Sequence, residues 1–168
     1  MKPDPSKPTD PPKVIQLRDV EPGDEPLLVR VYAGGRAEEL ALVPWDAPRK
    51  QSFVEMQFAA QLLHYREHYP HAQQQVICAD GKPVGRLYLD RGAAEYRILD
   101  VAILPENRNT GIGTFVIKEI LNEAYSARLS VTIYVETITA LRFFERLNFR
   151  NISHDEFKAL MRWDPDQA

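Results

Sequence analysis

The sequence predicts one domain of mixed α/β (α+β) class, built on a mostly antiparallel sheet that is flanked by helices. The chain of 168 residues is 44% hydrophobic and 27% charged, which is typical of a single soluble domain. Between residues 74 and 104, strand-like alternation is interrupted by two tight turns, which predicts an antiparallel meander. The order strand, helix, strand after the meander requires a crossover connection, so at least one pair of strands is parallel.

The domain is expected to span residues 14–168, after an N-terminal arm. Residues 1–13 contain 5 of the 13 prolines and almost no apolar side chains. So little apolar surface cannot offset the entropy that is lost when a chain becomes ordered. The sequence therefore predicts a disordered, proline-rich arm over residues 1–13.

Apolar periodicity and capping residues define the elements of the domain. The predicted elements are a strand over residues 14–18, a helix that ends at Gly34-Gly35, a stretch of mixed pattern over 36–52 with an exposed loop over 44–48, a helix over 52–69, strands over 75–79, 84–89 and 95–104, a helix over 111–125, a strand over 130–135, a helix over 138–147 and a strand over 158–163. Ser52 is expected to cap the helix that it begins, with Glu55 completing a capping box. Trp45, in the loop, either packs against the domain or lines a substrate pocket.

Composition argues against several classes of protein. A net charge of -3 argues against a nucleic-acid-binding face, and no apolar run approaches the roughly 18 residues of a membrane span. Cys78 is the only cysteine, so neither an intramolecular disulfide nor a thiolate metal cluster can form. His64 and His68 share a helix face but lack further ligands, so no metal site is expected. The lack of a signal-peptide pattern predicts a cytoplasmic protein.

Residues 100–114 carry the strongest indication of a binding site. An apolar strand ends at Pro105, a polar loop follows, and Gly111 and Gly113 stand at the entrance of a helix. The first amides of a helix have no intrahelical partner and lie at the positive end of the helix dipole, so they attract phosphate. Glycine allows close approach of the ligand, and Arg108 adds a cation. The pattern predicts an anion-binding loop.

The run Arg108-Asn109-Thr110-Gly111-Ile112-Gly113 resembles the R/Q-x-x-G-x-G/A signature of the GNAT acetyltransferase superfamily, and the order of elements is also similar. The resemblance implies that two central parallel strands splay apart. The pantetheine arm of coenzyme A would lie in the gap and its pyrophosphate at the loop. The residues that the resemblance assigns to coenzyme A are Val101, Ala102, Ile103, Arg108, Asn109, Thr110, Gly111, Ile112, Gly113, Thr114, Thr137 and Phe144.

Other interpretations of the two glycines compete with this one. A P-loop does not fit, because neither glycine begins a G-x-x-x-x-G-K-[ST] series. A dinucleotide-binding turn fits two of its three glycines, with Glu136 as the ribose-binding acid, but Val116 occupies the third glycine position. An ordinary strand-to-helix turn is the remaining alternative, and Arg108 favours the phosphate site over it.

Residues 137–149 resemble the family's second motif, N-x-x-A-x-x-F/L-Y-E-x-x-G-F, with three departures. Thr137 replaces asparagine, although a hydroxyl can still cap the helix. Asn148 replaces glycine and also tolerates the left-handed conformation. Phe144 replaces the tyrosine that many members use to protonate the departing thiolate, so Tyr134 or a water molecule is the candidate donor.

Asp100 is the candidate general base, and it matches a position where the family often carries an acid. A base is required because an acceptor ammonium with a pKa of about 10.4 must lose a proton before it attacks. The alternative is a structural carboxylate that pairs with Arg97 or with a backbone amide. Strand alternation puts Asp100 on the face of Ile98 and Ala102, unless a bulge reverses it.

The resemblance implies an acetyl-CoA-dependent N-acetyltransferase that transfers the acetyl group directly to an amine, without a metal. The alternative is a degenerate acyl-CoA-binding module with weak or no catalysis. The departures from the family motif at Phe144 and Thr137 support this alternative. The implied partner is a small-molecule or peptide amine, with neither nucleic acid nor membrane involved. A homodimer is left open.

Deleting residues 1–12 should leave the melting temperature nearly unchanged, because a disordered arm contributes no packing. Thermal unfolding of the full and shortened chains, followed by circular dichroism, measures the difference. A drop of many degrees would show instead that the arm packs on the domain.

Overall fold

A computed structural model describes residues 14–167, so the predicted arm over residues 1–13 lies outside the described part of the chain. Seven strands and five α-helices make up this part, together with short 3-10 turns. The strands are β1 (Ile15–Asp19), β2 (Gln73–Ala79), β3 (Lys82–Arg91), β4 (Glu95–Ile103), β5 (Ser130–Val135), β6 (Arg150–His154) and β7 (Ala159–Trp163). The helices are α1 (Glu25–Gly35), α2 (Ala37–Ala41), α3 (Ala47–His68), α4 (Ile112–Ala127) and α5 (Ile138–Glu145).

These strands form one sheet in the order β1-β2-β3-β4-β5-β7-β6. The first four strands pair antiparallel in sequence order, as the meander requires. β4 then pairs parallel with β5, and β5, β7 and β6 pair antiparallel. The predicted fold class, a mixed and mostly antiparallel sheet with a central parallel pair, is confirmed.

Helices cover both faces of the sheet. α4 and α5 contribute to the main core on one face, because α4 buries an apolar stripe with helical spacing. The buried side chains of that stripe are Ile112, Val116, Ile117, Ile120, Leu121 and Ala124. Burying an aliphatic side chain of this size stabilises the fold by about 1.5 to 3 kcal/mol. On the other face, α1 and α3 hold a smaller cluster around Leu28, Tyr32, Val54 and Phe58.

A bidentate ion pair connects β1 to the start of α1. Both terminal nitrogens of Arg18 donate to the carboxylate of Asp24 at 2.7 Å, and the Glu21 amide donates to the same carboxylate at 2.8 Å. The hydrogen bonds from Arg18, followed by that from the Glu21 backbone, lower the pKa of Asp24 to about 2. The carboxylate is thus held in its charged form where the chain turns into the first helix.

The prediction of a loop over residues 44–48 holds only in part, because residues 44–46 lie outside any helix whereas Ala47 and Pro48 are the first residues of α3. The stretch of mixed pattern before this loop contains α2. The helix α3 begins at Ala47 rather than Ser52. Its cap is Asp46, whose carboxylate accepts a hydrogen bond from the Arg49 amide at 2.9 Å. Proline is tolerated in a first turn, so the Pro-rich composition that indicated a loop belongs to a helix start.

Trp45 packs against the start of α3 rather than standing alone in a loop. Its ring meets that of Phe53 edge-on, with centroids 5.3 Å apart. The guanidinium of Arg49 lies over the indole, 4.6 Å from its centroid. Of the two interpretations of this residue, the structure shows packing.

β6 is an edge strand that the sequence pattern does not predict. All five of its residues, Arg150–His154, are exposed. A strand with no buried face lacks the apolar alternation by which strands are identified. Its position in the sheet is set by pairing with β7, which alternates buried and half-buried residues.

Replacing Asp24 with asparagine should destabilise the fold at neutral pH by on the order of 1 to 2 kcal/mol. Because the folded pKa of Asp24 is lowered to about 2 from an ordinary value of 3.8, its contribution is present above about pH 4. That contribution is lost as the pH falls towards 2, where the two proteins should become equally stable. Urea unfolding at pH 7, 4 and 2 measures this difference, with the exposed Asp19→Asn as the control. A pH-independent difference would contradict the assignment.

Candidate active site

The two central strands separate halfway along their length. β4 and β5 pair from Glu95 with Ser130 up to Ile98 with Ile133, and no further. Beyond that point β4 continues to Ile103 and β5 to Val135 without pairing with each other. This confirms the splayed parallel strands that the resemblance implies. One edge of β4 therefore has no strand partner along the opening.

A bulge in β4 occurs where the strands separate. Tyr88 of β3 faces Asp100, whereas the next residue, Leu89, faces Ile98, so Leu99 is an extra residue in β4. The hydroxyl of Tyr65 on α3 donates to the carbonyl of Leu99 at 2.9 Å. Burial, followed by the negative charge of Asp100, raises the pKa of Tyr65, which keeps this hydroxyl protonated as a donor.

The bulge reverses the face of the sheet on which Asp100 lies. Ile98 is in the main core beneath α4, whereas Val101 and Ile103 pack against that same core. Asp100 therefore points to the opposite face, towards α3, rather than sharing a face with Ile98 as simple alternation predicts. Simple alternation fails here because the bulge adds one residue, Leu99, to β4.

Asp100 pairs with a buried arginine on the neighbouring strand. The Nε of Arg86 donates to Oδ2 of Asp100 at 2.5 Å, and the side chains are 1% and 23% exposed. The Nη2 of Arg86 donates to Gln61 on α3 at 2.6 Å. Of the partners considered for a structural Asp100, Arg97 is excluded, because Arg97 donates to Glu95 at 2.6 Å.

The start of α4 presents free backbone amides to the same opening. The first hydrogen bond at this helix end runs from the Phe115 amide to the Gly111 carbonyl at 3.0 Å, so the amides of Ile112, Gly113 and Thr114 precede it. The N-cap Gly111 has a φ of 85°, in the left-handed region that favours glycine, and no side chain caps the helix. The geometry suits an anion that approaches closely.

The loop before α4 is held by internal hydrogen bonds. The Nε of Arg108 donates to the Ile103 carbonyl at 3.0 Å, which anchors the cation beside the helix start. The hydroxyl of Thr110 donates to the Asn107 carbonyl at 2.6 Å. Asn109 adopts a left-handed φ of 59°. The side chains of Arg108 and Thr110 are exposed, so both are accessible to an anion at the helix start.

Helix α1 packs closely against this loop. A Cβ atom at Gly34 would lie 2.9 Å from the Cδ of Pro105, so only glycine fits there without a shift. Arg30 also pairs with Glu106 at 2.8 Å, although both side chains are largely exposed and the pair contributes little stability. Close contact at Gly34 fixes the position of the loop relative to α1.

The second motif lies on α5, across the opening. The hydroxyl of Thr137 accepts a hydrogen bond from the Ala140 amide at 3.1 Å, which confirms that it caps the helix. Asn148 has a φ of 65°, which confirms the expected left-handed residue after the helix. Phe144 is buried in the main core, where its ring meets Phe143 and Phe149 edge-on at centroid distances of 5.0 and 5.1 Å.

Tyr134 lies on the same face of the sheet as Asp100, opposite to Phe144. It follows the last β4–β5 pair directly and is 46% exposed. Lys158 Nζ lies 4.4 Å from its ring centroid and the Arg97 guanidinium 5.4 Å. The structure thus brings Asp100 and Tyr134 to one side of the opening, while Phe144 approaches from the other.

Sequence reasoning missed three residues of this region: Gln61, Tyr65 and Arg86. Arg86 had a detectable signal, because a charged residue between Gly85 and Leu87 interrupts an otherwise apolar strand. Gln61 and Tyr65 had none, since polar residues are ordinary on a surface helix. Their roles depend on the packing of α3 over β3 and β4, which no local pattern encodes.

Residues 14–167 contain no group of three or more histidine, cysteine, aspartate or glutamate side chains arranged to hold a metal ion. Within the same range, no helix combines the length and the apolar character needed to cross a bilayer.

Comparison with known proteins agrees with this geometry. Residues 70–151 match the family model of an acetyltransferase (GNAT) domain, and this range contains the meander, the bulge, the anion-binding loop and α5. No curated protein matches the chain in sequence. The resemblance to the GNAT acetyltransferase family is confirmed over residues 70–151.

Solved structures from several organisms share the fold at low sequence identity. PaiA N-acetyltransferase of Thermoplasma acidophilum, solved in complex with coenzyme A, is 14% identical and has a TM-score of 0.67, with 90% of this chain and 99% of that chain covered. An acetyltransferase of Thermus thermophilus is 20% identical with a TM-score of 0.66, covering 89% and 96%. The ribosomal-protein-S18-alanine N-acetyltransferase of Escherichia coli is 15% identical with a TM-score of 0.59, covering 90% and 94%.

Replacing Gly113 with valine should weaken acetyl-CoA binding severely while leaving the fold intact. A Cβ at this position meets only the Phe143 ring at 3.6 Å, an ordinary contact, but the larger side chain stands among the free amides. Arg108→Ala should weaken binding by about 1.5 to 3 kcal/mol through loss of a charge-assisted bond. Calorimetry measures both affinities. Gly23→Val is the control, since a Cβ there meets nothing within 4 Å; unchanged affinity in Gly113→Val would remove the loop from the site.

Proposed function

We propose that the protein is an acetyl-CoA-dependent N-acetyltransferase that transfers an acetyl group directly to an amine. One observation carries the proposal: the opening between β4 and β5 leads to the uncapped start of α4, beside the anchored cation Arg108. An extended, hydrogen-bonding arm with a diphosphate at its end matches this shape. The match of residues 70–151 to the acetyltransferase (GNAT) domain model supports acetyl transfer as the reaction class.

The residues present fit coenzyme A. The unpaired edge of residues 101–103 offers backbone groups to a pantetheine arm, and the amides of Ile112, Gly113 and Thr114 offer donors to a pyrophosphate. The T. acidophilum protein of similar fold was solved in complex with coenzyme A, which supports the same cofactor here. Bound acetyl-CoA supplies the activated thioester; the chain supplies binding, orientation and proton transfer.

The acceptor amine must reach the thioester from the face that carries Asp100. When its nitrogen attacks the thioester carbon, a C–N bond forms, the C–S bond breaks, and the amine loses a proton. Asp100 is the proposed acceptor of that proton, directly or through a water. Its Oδ2 is engaged by Arg86, so Oδ1 is the oxygen that would act.

The departing thiolate needs a proton, and Phe144 has none to give. Tyr134 is the proposed donor, because it stands at the start of the opening and is exposed. Direct protonation by water is the alternative, since a thiolate with a pKa of about 8.5 leaves tolerably without help.

A second candidate function is an acyl-CoA-binding module with weak or no catalysis. Phe144 supports it, because the side chain at the family's acid position is buried among aromatic rings and carries no hydroxyl. Both candidates bind the same cofactor, so binding does not separate them. Release of free thiol in the presence of a panel of amines does.

Replacing Phe144 with tyrosine should raise thiol release, by up to roughly a hundredfold, if the native protein lacks a general acid. Phe149→Tyr is the matched control, because Phe149 lies in the same aromatic cluster and is equally buried. The assay measures free thiol at saturating acetyl-CoA with primary amines, amino acids and peptides as acceptors.

The outcomes of this assay separate the two candidate functions. An active native protein that gains nothing from Phe144→Tyr already has its proton donor, and the module interpretation loses its support. If both forms bind acetyl-CoA tightly and neither releases thiol with any acceptor, the enzyme interpretation must be abandoned.

A further inference from the structure

We propose that Arg86 is a positioning residue of the acceptor site: it occupies one oxygen of Asp100 and thereby turns the other oxygen towards the acceptor amine. This inference rests on the proposed function, because it assigns a role within the same site. It concerns three side chains from three elements, Gln61 of α3, Arg86 of β3 and Asp100 of β4.

A fully buried arginine in a single-domain core is unusual and costly. Arg86 is only 1% exposed, and its Nη1 has no hydrogen-bond partner among residues 14–167. Removing a guanidinium from water costs several kcal/mol, and an unpaired N–H adds to that cost. A buried ion pair is weak evidence for stability, since apolar residues of the same volume often stabilise a core as well or better. The charge of Arg86 therefore calls for a role other than stability.

The surroundings of Arg86 fix its orientation. Its guanidinium carbon lies 5.8 Å from the ring centroid of Tyr32 on α1 and 5.3 Å from that of Phe58 on α3. Gln61 accepts from Nη2 at 2.6 Å. With two rings and an amide holding the planar group, Nε can point only towards β4. The donor that meets Asp100 is thus preorganised before any ligand binds.

Asp100 is held at one oxygen and free at the other. Oδ2 accepts from Arg86, whereas Oδ1 accepts no hydrogen bond from any side chain or amide within residues 14–167. The Asp100 side chain is 23% exposed, whereas that of Arg86 is 1% exposed. A ligand can therefore contact Asp100 but not Arg86. The bulge at Leu99, fixed by Tyr65, puts it on this face. A carboxylate in this arrangement has a single oxygen available to an incoming ammonium or water.

A double-mutant cycle tests whether Arg86 acts through Asp100. Arg86→Met removes the cation with little change of volume, Asp100→Asn removes the proton acceptor, and the third protein carries both changes. Arg91→Met is the matched control, because Arg91 lies at the end of the same strand and pairs with a different carboxylate, Glu123. Turnover, acceptor KM, acetyl-CoA affinity and melting temperature are measured for each protein.

We expect Asp100→Asn to lower kcat by about 100-fold or more and Arg86→Met by at least about tenfold. In the double variant, kcat should equal that of Asp100→Asn alone, because Arg86 then has no carboxylate to position. Acetyl-CoA affinity should stay within about twofold throughout, and Arg91→Met should turn over normally. Arg86→Lys, which keeps the charge without the planar fork, should recover part of the activity.

Three results would overturn the inference while leaving the proposed function in place. They are normal turnover in Arg86→Met, multiplicative losses in the double variant, and loss of acetyl-CoA affinity in step with kcat. The last result would indicate a general structural role. If the native protein acetylates none of the acceptors, the proposed function falls and the inference falls with it.

A second variant keeps the test decisive if Arg86→Met does not fold. Gln61→Met leaves the ion pair in place and removes only the group that fixes Nη2. It should lower kcat by roughly threefold to tenfold with acetyl-CoA affinity unchanged. Unaltered kcat in a folded Gln61→Met protein, together with unaltered kcat in Arg86→Lys, would contradict the positioning role.

Discussion

The structure depends on one constraint: β4 and β5 pair as parallel strands only as far as Ile98 and Ile133. Backbone amides and carbonyls beyond that point need other partners, because an unpaired buried group costs about as much as a lost hydrogen bond. Tyr65 satisfies the carbonyl of Leu99 at the bulge. The remaining edge of β4 is left for an extended ligand that pairs with it as a strand would. The separation of two strands thus creates the site.

The same elements serve both sides of the opening. Helix α1 contacts the anion-binding loop through Gly34 and Pro105, and it also places the Tyr32 ring over Arg86. Helix α3 supplies Tyr65 to the bulge. The proposed cofactor side and the proposed acceptor side therefore share contacts with the same helices. A change in the packing of α1 would alter both at once, which is a reason to measure cofactor affinity whenever the acceptor side is changed.

The fold was largely predictable, because the meander, the glycine loop and the α4 stripe each have a strong local pattern. The geometry of the loop before α4 was predictable for the same reason: amides at a helix start and a nearby arginine belong to one short segment. Three features of the structure were not predicted from the sequence. β6 has no buried face, α3 begins at Ala47 with a proline in its first turn, and Arg86 pairs with Asp100 only because a bulge turns the Asp100 side chain to the other face of the sheet. The first and the last of these depend on contacts between distant segments, which a reading of local periodicity does not contain. The start of α3 had a local signal, because Asp46 caps the helix three residues before Arg49.

Hydrogen exchange of individual amides, measured with and without acetyl-CoA, tests the central claim most directly. We expect slower exchange at Ile112, Gly113 and Thr114 and at the β4 amides beyond Ile98 that face the opening rather than β3, because these amides gain acceptors when the opening is filled. The start of α3, whose Arg49 amide is already bonded to Asp46, serves as the internal reference and should not change. Binding of acetyl-CoA without protection at these amides, or with protection confined to another part of the chain, would contradict the account.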